Sequence, residues 1–153
     1  MKKFFSLFLL CLYQKKEEVF GMYQNYNPNP HKKRVGDCTV RAISKLLDMT
    51  WRETLLCLAI YGYIYGDMPN GDDLWAKFLR DRGYRRHIIT DEGYTVEDFC
   101  RNHPRGKYLL ALKNHVIAVE NGRHFDTFDH GDEEIIYYWI KRSDESCTEM
   151  DME

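Results

Sequence analysis

The chain has 153 residues with a formal net charge of −2, and 44% of them are hydrophobic. This length predicts one domain, the apolar content excludes a disordered protein, and the weak net charge argues against nucleic acid as a partner. Five cysteines without a Cys-x-x-Cys pair argue against a disulfide framework and against a cysteine-rich zinc site, and they fit a reducing, cytoplasmic compartment best.

The N-terminal segment imitates a targeting sequence. Its apolar run, residues 4–12, is too short to span a bilayer, and no small-residue cleavage site follows it. Residues 16–19 can be encoded by a purine-rich ribosome-binding sequence at a suitable distance before Met22. We therefore expect residues 1–21 to be a translated leader or a disordered segment of a cytoplasmic protein. The alternative is a secretory or membrane-anchoring segment.

Helical patterns fill the first half of the expected domain, residues 22–141. An extended segment rich in asparagine and proline leads into them. The first of three predicted helices covers residues 38–47, with Asp37 as its N-cap. The second begins at residue 51 after a Thr50–Glu53 capping box and is closed by Gly62 and Gly66. The third carries residues 74–79 and ends at Gly83.

Strand patterns dominate the second half. Strands are predicted over residues 84–89, 107–112, 115–120, 123–128 and 135–140, with a short helix over residues 95–102. We expect residues 142–153 to be an acidic, flexible tail. The chain therefore predicts an α+β fold in which N-terminal helices pack on a C-terminal antiparallel sheet.

One turn fixes the register of two of these strands. Asn121-Gly122 is a strong signal for a two-residue type I′ hairpin. Counting back from that turn, His115 and Asp126 project from the same side of the sheet as diagonal neighbours. Asp129 would project from the opposite side. The register therefore favours Asp126 over Asp129 as the partner of the imidazole.

Cys38 is the candidate nucleophile. It follows Gly36-Asp37 at the predicted start of a helix, where free N–H groups and the helix dipole stabilise a thiolate. A cysteine, a histidine and a carboxylate in this chain order suit an activated sulfur nucleophile. In this interpretation Cys38 attacks a carbonyl carbon, His115 carries the proton and Asp126 orients the ring.

Such chemistry also needs donors for the oxyanion. The backbone N–H of Cys38 is one natural donor. A second is expected from the segment before the helix, where Asn29, Asn27 and Gln24 are candidates and Asn29 is preferred.

The order and setting of these residues resemble the papain-like cysteine peptidase superfamily. Residues 115–119 resemble its histidine strand, and Asp126-Thr127-Phe128 resembles its Asn-Ser-Trp motif, with Phe128 for the shielding aromatic. The Asp37-Cys38 pair is similar to the bacteriocin-processing and NlpC/P60 branches. The segments Asn27-Pro28-Asn29-Pro30 and residues 34–43 resemble small papain-like proteins of gut bacteria and their phages. The resemblance implies a papain-like fold with the triad Cys38, His115 and Asp126.

These observations predict a thiol hydrolase that cleaves a peptide, isopeptide or amide bond. We expect a protein or peptide substrate, no cofactor, and neither nucleic acid nor a membrane as partner. Two alternatives stay open: a non-catalytic interaction protein on the same fold, and a transglutaminase-like acyl transferase. A metal site is a weaker alternative, because no ligand spacing is diagnostic among His103, His124, His130, Asp129 and Asp132.

Overall fold

The computed structural model describes residues 21–145, which form four helices and one six-stranded sheet. The helices are α1 (Cys38–Leu47), α2 (Trp51–Tyr65), α3 (Asp72–Asp81) and α4 (Val96–Asn102). The strands are β1 (Tyr23–Asn25), β2 (Tyr84–Ile88), β3 (Lys107–Leu112), β4 (His115–Glu120), β5 (Arg123–Asp126) and β6 (Tyr137–Lys141). Apart from residue 21, the expected leader lies outside the described residues. So does most of the expected tail, although Arg142–Asp144 form a 3-10 helix.

The sheet has the strand order β1-β5-β4-β3-β6-β2 and is mixed rather than antiparallel. The expectation of an antiparallel sheet was wrong, because β1 adds to the edge of β5 in the parallel direction. Tyr23 to Asn25 pair with His124 to Asp126, and the amide of Tyr26 continues the ladder by donating to the carbonyl of Asp126 at 2.8 Å. A three-residue polar strand has no alternation to reveal it, and here only the neighbouring strand defines it.

The hairpin of β4 and β5 follows the predicted register. Glu120 pairs with Arg123, and the two turn residues Asn121 and Gly122 have φ of 50° and 71°, as a type I′ turn requires. Strand β5 ends at Asp126, two residues before the predicted end. It ends there because the Asp126 carboxylate accepts the next backbone N–H at 2.7 Å, a local bond that turns the chain.

Both faces of the sheet are covered. One core lies between the sheet and helices α1 to α3, and its largest rings, Trp75 and Trp139, meet edge to face at 6.0 Å. The other lies under α4, where Phe99 packs edge-on against Tyr108. Central strand β3 is buried on both sides, which explains its nearly unbroken apolar sequence.

Most helix ends follow local sequence signals. The capping boxes at Thr50 and Thr95 both form. Gly66, with φ of 70°, ends α2. Gly62 does not end the helix as predicted: it lies inside α2, where a side chain would meet the carbonyl oxygen of Asp67 at 2.5 Å.

Between residues 21 and 145, the structure contains no helix with both the length and the apolar content needed to cross a bilayer.

Candidate active site

Cys38 is the first residue of α1, which packs its buried face across β4. The preceding residue, Asp37, occupies the N-cap position but makes no side-chain cap hydrogen bond, so its predicted capping role was wrong. Its carboxylate turns instead to the buried guanidinium of Arg41 and accepts the indole N–H of Trp51 at 2.7 Å. The start of α1 is thus fixed by a buried ion pair rather than by a cap.

The β4–β5 hairpin brings the imidazole to the carboxylate. His115 opens β4, Asp126 closes β5, and Nε2 of His115 forms a short hydrogen bond with Oδ2 of Asp126. Asp129 contacts a different histidine, His124, at 2.9 Å. The structure therefore pairs His115 with the carboxylate that the hairpin register favours.

The thiol completes this series of contacts. Cys38 and His115 interact closely enough for each side chain to shift the pKa of the other. Because Nε2 is engaged by Asp126, Nδ1 is the nitrogen left for the sulfur. The three side chains come from a helix start, a strand start and a strand end, and residues of these types in this order can serve as nucleophile, base and orienting carboxylate.

The electrostatics favour a charged pair. Burial raises the pKa of Cys38, but the hydrogen bond and charge of His115, the N–H of Val116 and the Thr39 hydroxyl outweigh it and hold that pKa below its ordinary value. The hydrogen bond to Asp126, followed by that to Cys38, raises the pKa of His115 to about 9. Both shifts stabilise a thiolate beside an imidazolium.

The carboxylate is itself held by a buried cation. Arg41 donates from Nε and a terminal nitrogen to Oδ1 of Asp126, at 3.0 and 2.8 Å. Burial raises the pKa of Asp126, but the hydrogen bond from His115, the N–H of Thr127 and the charge of Arg41 bring it below its ordinary value. Sequence reasoning missed Arg41. Its signal was the i, i+4 spacing from Asp37 on a helix whose neighbouring positions are apolar.

The two remaining expected site residues lie in different surroundings. Asn29 is only 4% exposed in the segment before α1 and uses its side-chain oxygen to accept the N–H of His31 at 2.9 Å. Phe128 is 56% exposed and lies under the guanidinium of Arg34 at 5.1 Å. Its exposure and its place beyond the end of β5 give no support for a shielding role.

The ring of His130 lies next to His115 and Asp126. The imidazole of His130 lies against that of His115, with 4.5 Å between ring centroids, and its Nε2 is 3.0 Å from Oδ2 of Asp126. His115, Asp126 and His130 together have the donor set and spacing to hold a metal ion. The other histidines of the metal alternative lie apart from this group: His103 stacks on Phe99, and His124 binds Asp129.

Comparisons of the chain with protein-family models, with curated proteins and with solved structures gave no match.

Proposed function

We propose that the protein is a cysteine hydrolase with a papain-like fold that cleaves a peptide, isopeptide or amide bond. The observation that carries this proposal is the hydrogen bond of His115 to the buried Asp126, together with the influence of that imidazole, which lowers the pKa of Cys38. A structural cysteine does not need a basic histidine backed by a buried carboxylate. Burial of a protonated histidine costs the fold free energy, and stabilisation of a reactive thiolate is a physical reason for the protein to keep it.

The reaction follows from the positions of the protons. The Cys38 thiolate attacks the carbonyl carbon, and the protonated His115 donates its Nδ1 proton to the leaving nitrogen as the bond to carbon breaks. The acyl group is then held as a thioester on Cys38. Neutral His115 next accepts a proton from the attacking water, and the thiolate leaves as the acid product forms.

Charge on the carbonyl oxygen is stabilised by backbone donors. Cys38 begins α1, and the first N–H groups of a helix have no partner within the helix. In this proposal the side-chain amide of Asn29 supplies the second donor, since its oxygen is already engaged with His31.

Alkylation rates test the activated thiol directly. We expect iodoacetamide at pH 7 to label Cys38 of the folded protein faster than Cys57 and far faster than Cys100, whose burial raises the pKa to about 12. His115→Ala should slow labelling of Cys38. A matched change at a distant histidine, His87→Ala, should leave the rate unchanged.

Two results would contradict the proposal: Cys38 that reacts no faster in the folded protein than in urea, and an unchanged rate in His115→Ala. If Cys38 is activated, a screen of peptide and amide substrates with Cys38→Ala as the inactive control should find the bond that is cleaved. Addition of a primary amine to that assay distinguishes hydrolysis from acyl transfer, because a transferase would form the amine adduct.

A further inference from the structure

His130 holds an unusual position behind the proposed triad. Its Nε2 is buried and, among the described residues, has no hydrogen-bond partner, although Oδ2 of Asp126 lies only 3.0 Å away. The two atoms lie at ion-pair distance without forming a hydrogen bond. A buried polar nitrogen without a partner costs the fold free energy, so its persistence calls for a physical reason.

The other ring nitrogen of His130, Nδ1, determines which nitrogen of the neutral ring carries the lone pair. Nδ1 lies 2.7 Å from a carboxylate oxygen of Glu133, and a carboxylate there selects the tautomer with the proton on Nδ1. A neutral ring in that tautomer has its lone pair on Nε2, the nitrogen that lies 3.0 Å from Oδ2 of Asp126. A cation placed between them would satisfy both atoms.

The neighbouring atoms form a complete donor set. Ligand atoms of His115, Asp126 and His130 all lie within 4.8 Å of one another. Two imidazoles and one carboxylate are the donors of catalytic zinc and of related divalent transition metals, and three protein ligands leave a coordination position open. A hard ion such as magnesium would instead require oxygen ligands.

The groups around these ligands already orient them. Glu133 holds the second nitrogen of His130, in the carboxylate–histidine arrangement found behind metal ligands. Arg41 and the N–H of Thr127 hold Oδ1 of Asp126, which leaves Oδ2 for the ion. Asp126 is 2% exposed, so an ion bound there would be largely shielded from water.

We propose that His115, Asp126 and His130 form a binding site for a divalent transition metal ion such as zinc, and that the ion switches off the cysteine. This regulatory role rests on the proposed hydrolase function. Binding would place the ion on the Nε2 lone pair of His115 and release to solvent the proton that Nε2 shares with Asp126. With Nε2 on the metal, His115 is a neutral imidazole with its proton on Nδ1, and it is a much weaker acid than the imidazolium. It then neither pairs as a cation with the thiolate of Cys38 nor readily protonates the leaving nitrogen.

Zinc binding to the Cys38→Ala protein tests the site without requiring catalysis. Calorimetric titration with zinc chloride at pH 7.5 should show one site. His130→Ala in the same background should weaken binding at least tenfold, and Glu133→Ala, which removes an orienting partner, about 10–100-fold. His87→Ala is the matched control and should bind as tightly as its parent.

NMR spectroscopy locates the bound ion independently of the calorimetric titration. In ¹⁵N-labelled protein, zinc should shift the Nε2 resonances of both His115 and His130. Binding that vanishes in Cys38→Ala but survives His130→Ala would overturn the proposal, since the thiol would then be the ligand. Absence of binding in every form would also overturn it, whereas binding to a protein whose Cys38 proves unreactive would refute only the hydrolase.

Discussion

Two hydrogen bonds join Arg41 to a single oxygen of Asp126, from Nε at 3.0 Å and from a terminal nitrogen at 2.8 Å. The same guanidinium pairs with Asp37 through its other terminal nitrogen. One buried cation thus lies between two buried carboxylates, and protonated His115 supplies the second positive charge. Arg41 is a positioning residue: it fixes the carboxylate that orients the imidazole.

We expect Arg41→Leu to destabilise the fold by about 3–5 kcal/mol, because it leaves two buried carboxylates without their cation. Arg41→Lys should cost less in stability but should slow Cys38 labelling, since an ammonium group cannot form the same planar set of bonds. Urea unfolding and iodoacetamide labelling measure the two effects. A Lys variant that labels like the wild type would show that Arg41 contributes only to stability.

Asp126→Asn should lower the pKa of His115 from about 9 toward its ordinary value. The hydrogen bond to the carboxylate is the largest contribution to that pKa, and a neutral amide stabilises an imidazolium much less. An NMR titration of the His115 ring measures the change. Asp129→Asn, at the carboxylate that binds His124, is the matched control and should leave His115 unchanged.

The raised pKa of His115 also predicts how stability depends on pH. The folded protein holds this proton more tightly than the unfolded chain, whose histidine titrates near 6.5, so the stabilisation is complete below pH 6.5 and is lost as pH rises through about 9. Cys38 has a lowered pKa and contributes with the opposite pH dependence, so the comparison uses a Cys38→Ala background. In that background His115→Gln should lower the free energy of unfolding more at pH 6 than at pH 9.5. An equal loss at both pH values would contradict the raised pKa of His115.

Gly122→Ala should destabilise the hairpin that sets the site. Gly122 has φ of 71°, and an added Cβ would lie 3.0 Å from the carbonyl oxygen of Cys100. Gly93 has almost the same φ, 72°, with no heavy atom within 4 Å, so Gly93→Ala measures the backbone cost alone, about 1–2 kcal/mol. Denaturant unfolding should show a larger loss for Gly122→Ala.

Local signals predicted the hairpin and the register of its strands. The bounds of β3 and β4, the Asn121-Gly122 turn and the start of α1 at Cys38 all agree with the sequence interpretation, since each depends on residues close together in the chain. That is why the contact between His115 and Asp126 could be anticipated.

Long-range features escaped prediction. β1 carries no signal of its own, and it becomes a strand only beside β5. The burial of Arg41 and the approach of His130 to Asp126 depend on how a helix and a loop pack on the sheet. Phe128 was assigned by its position in a motif, and the early end of β5 carries it to the surface. Motif spacing therefore located Cys38, His115 and Asp126 but not the residues that hold them.

The parallel pairing of β1 with β5 has a consequence for the order of folding. It joins residue 23 to residue 124 and so closes nearly the whole domain into one loop, the contact with the greatest entropic cost and the slowest to form. Yet this strand anchors the backbone of Asp126 through the amide of Tyr26. We therefore expect the proposed reactivity of the thiol to arise late, when the first strand docks, so that a chain still emerging from the ribosome carries an ordinary cysteine.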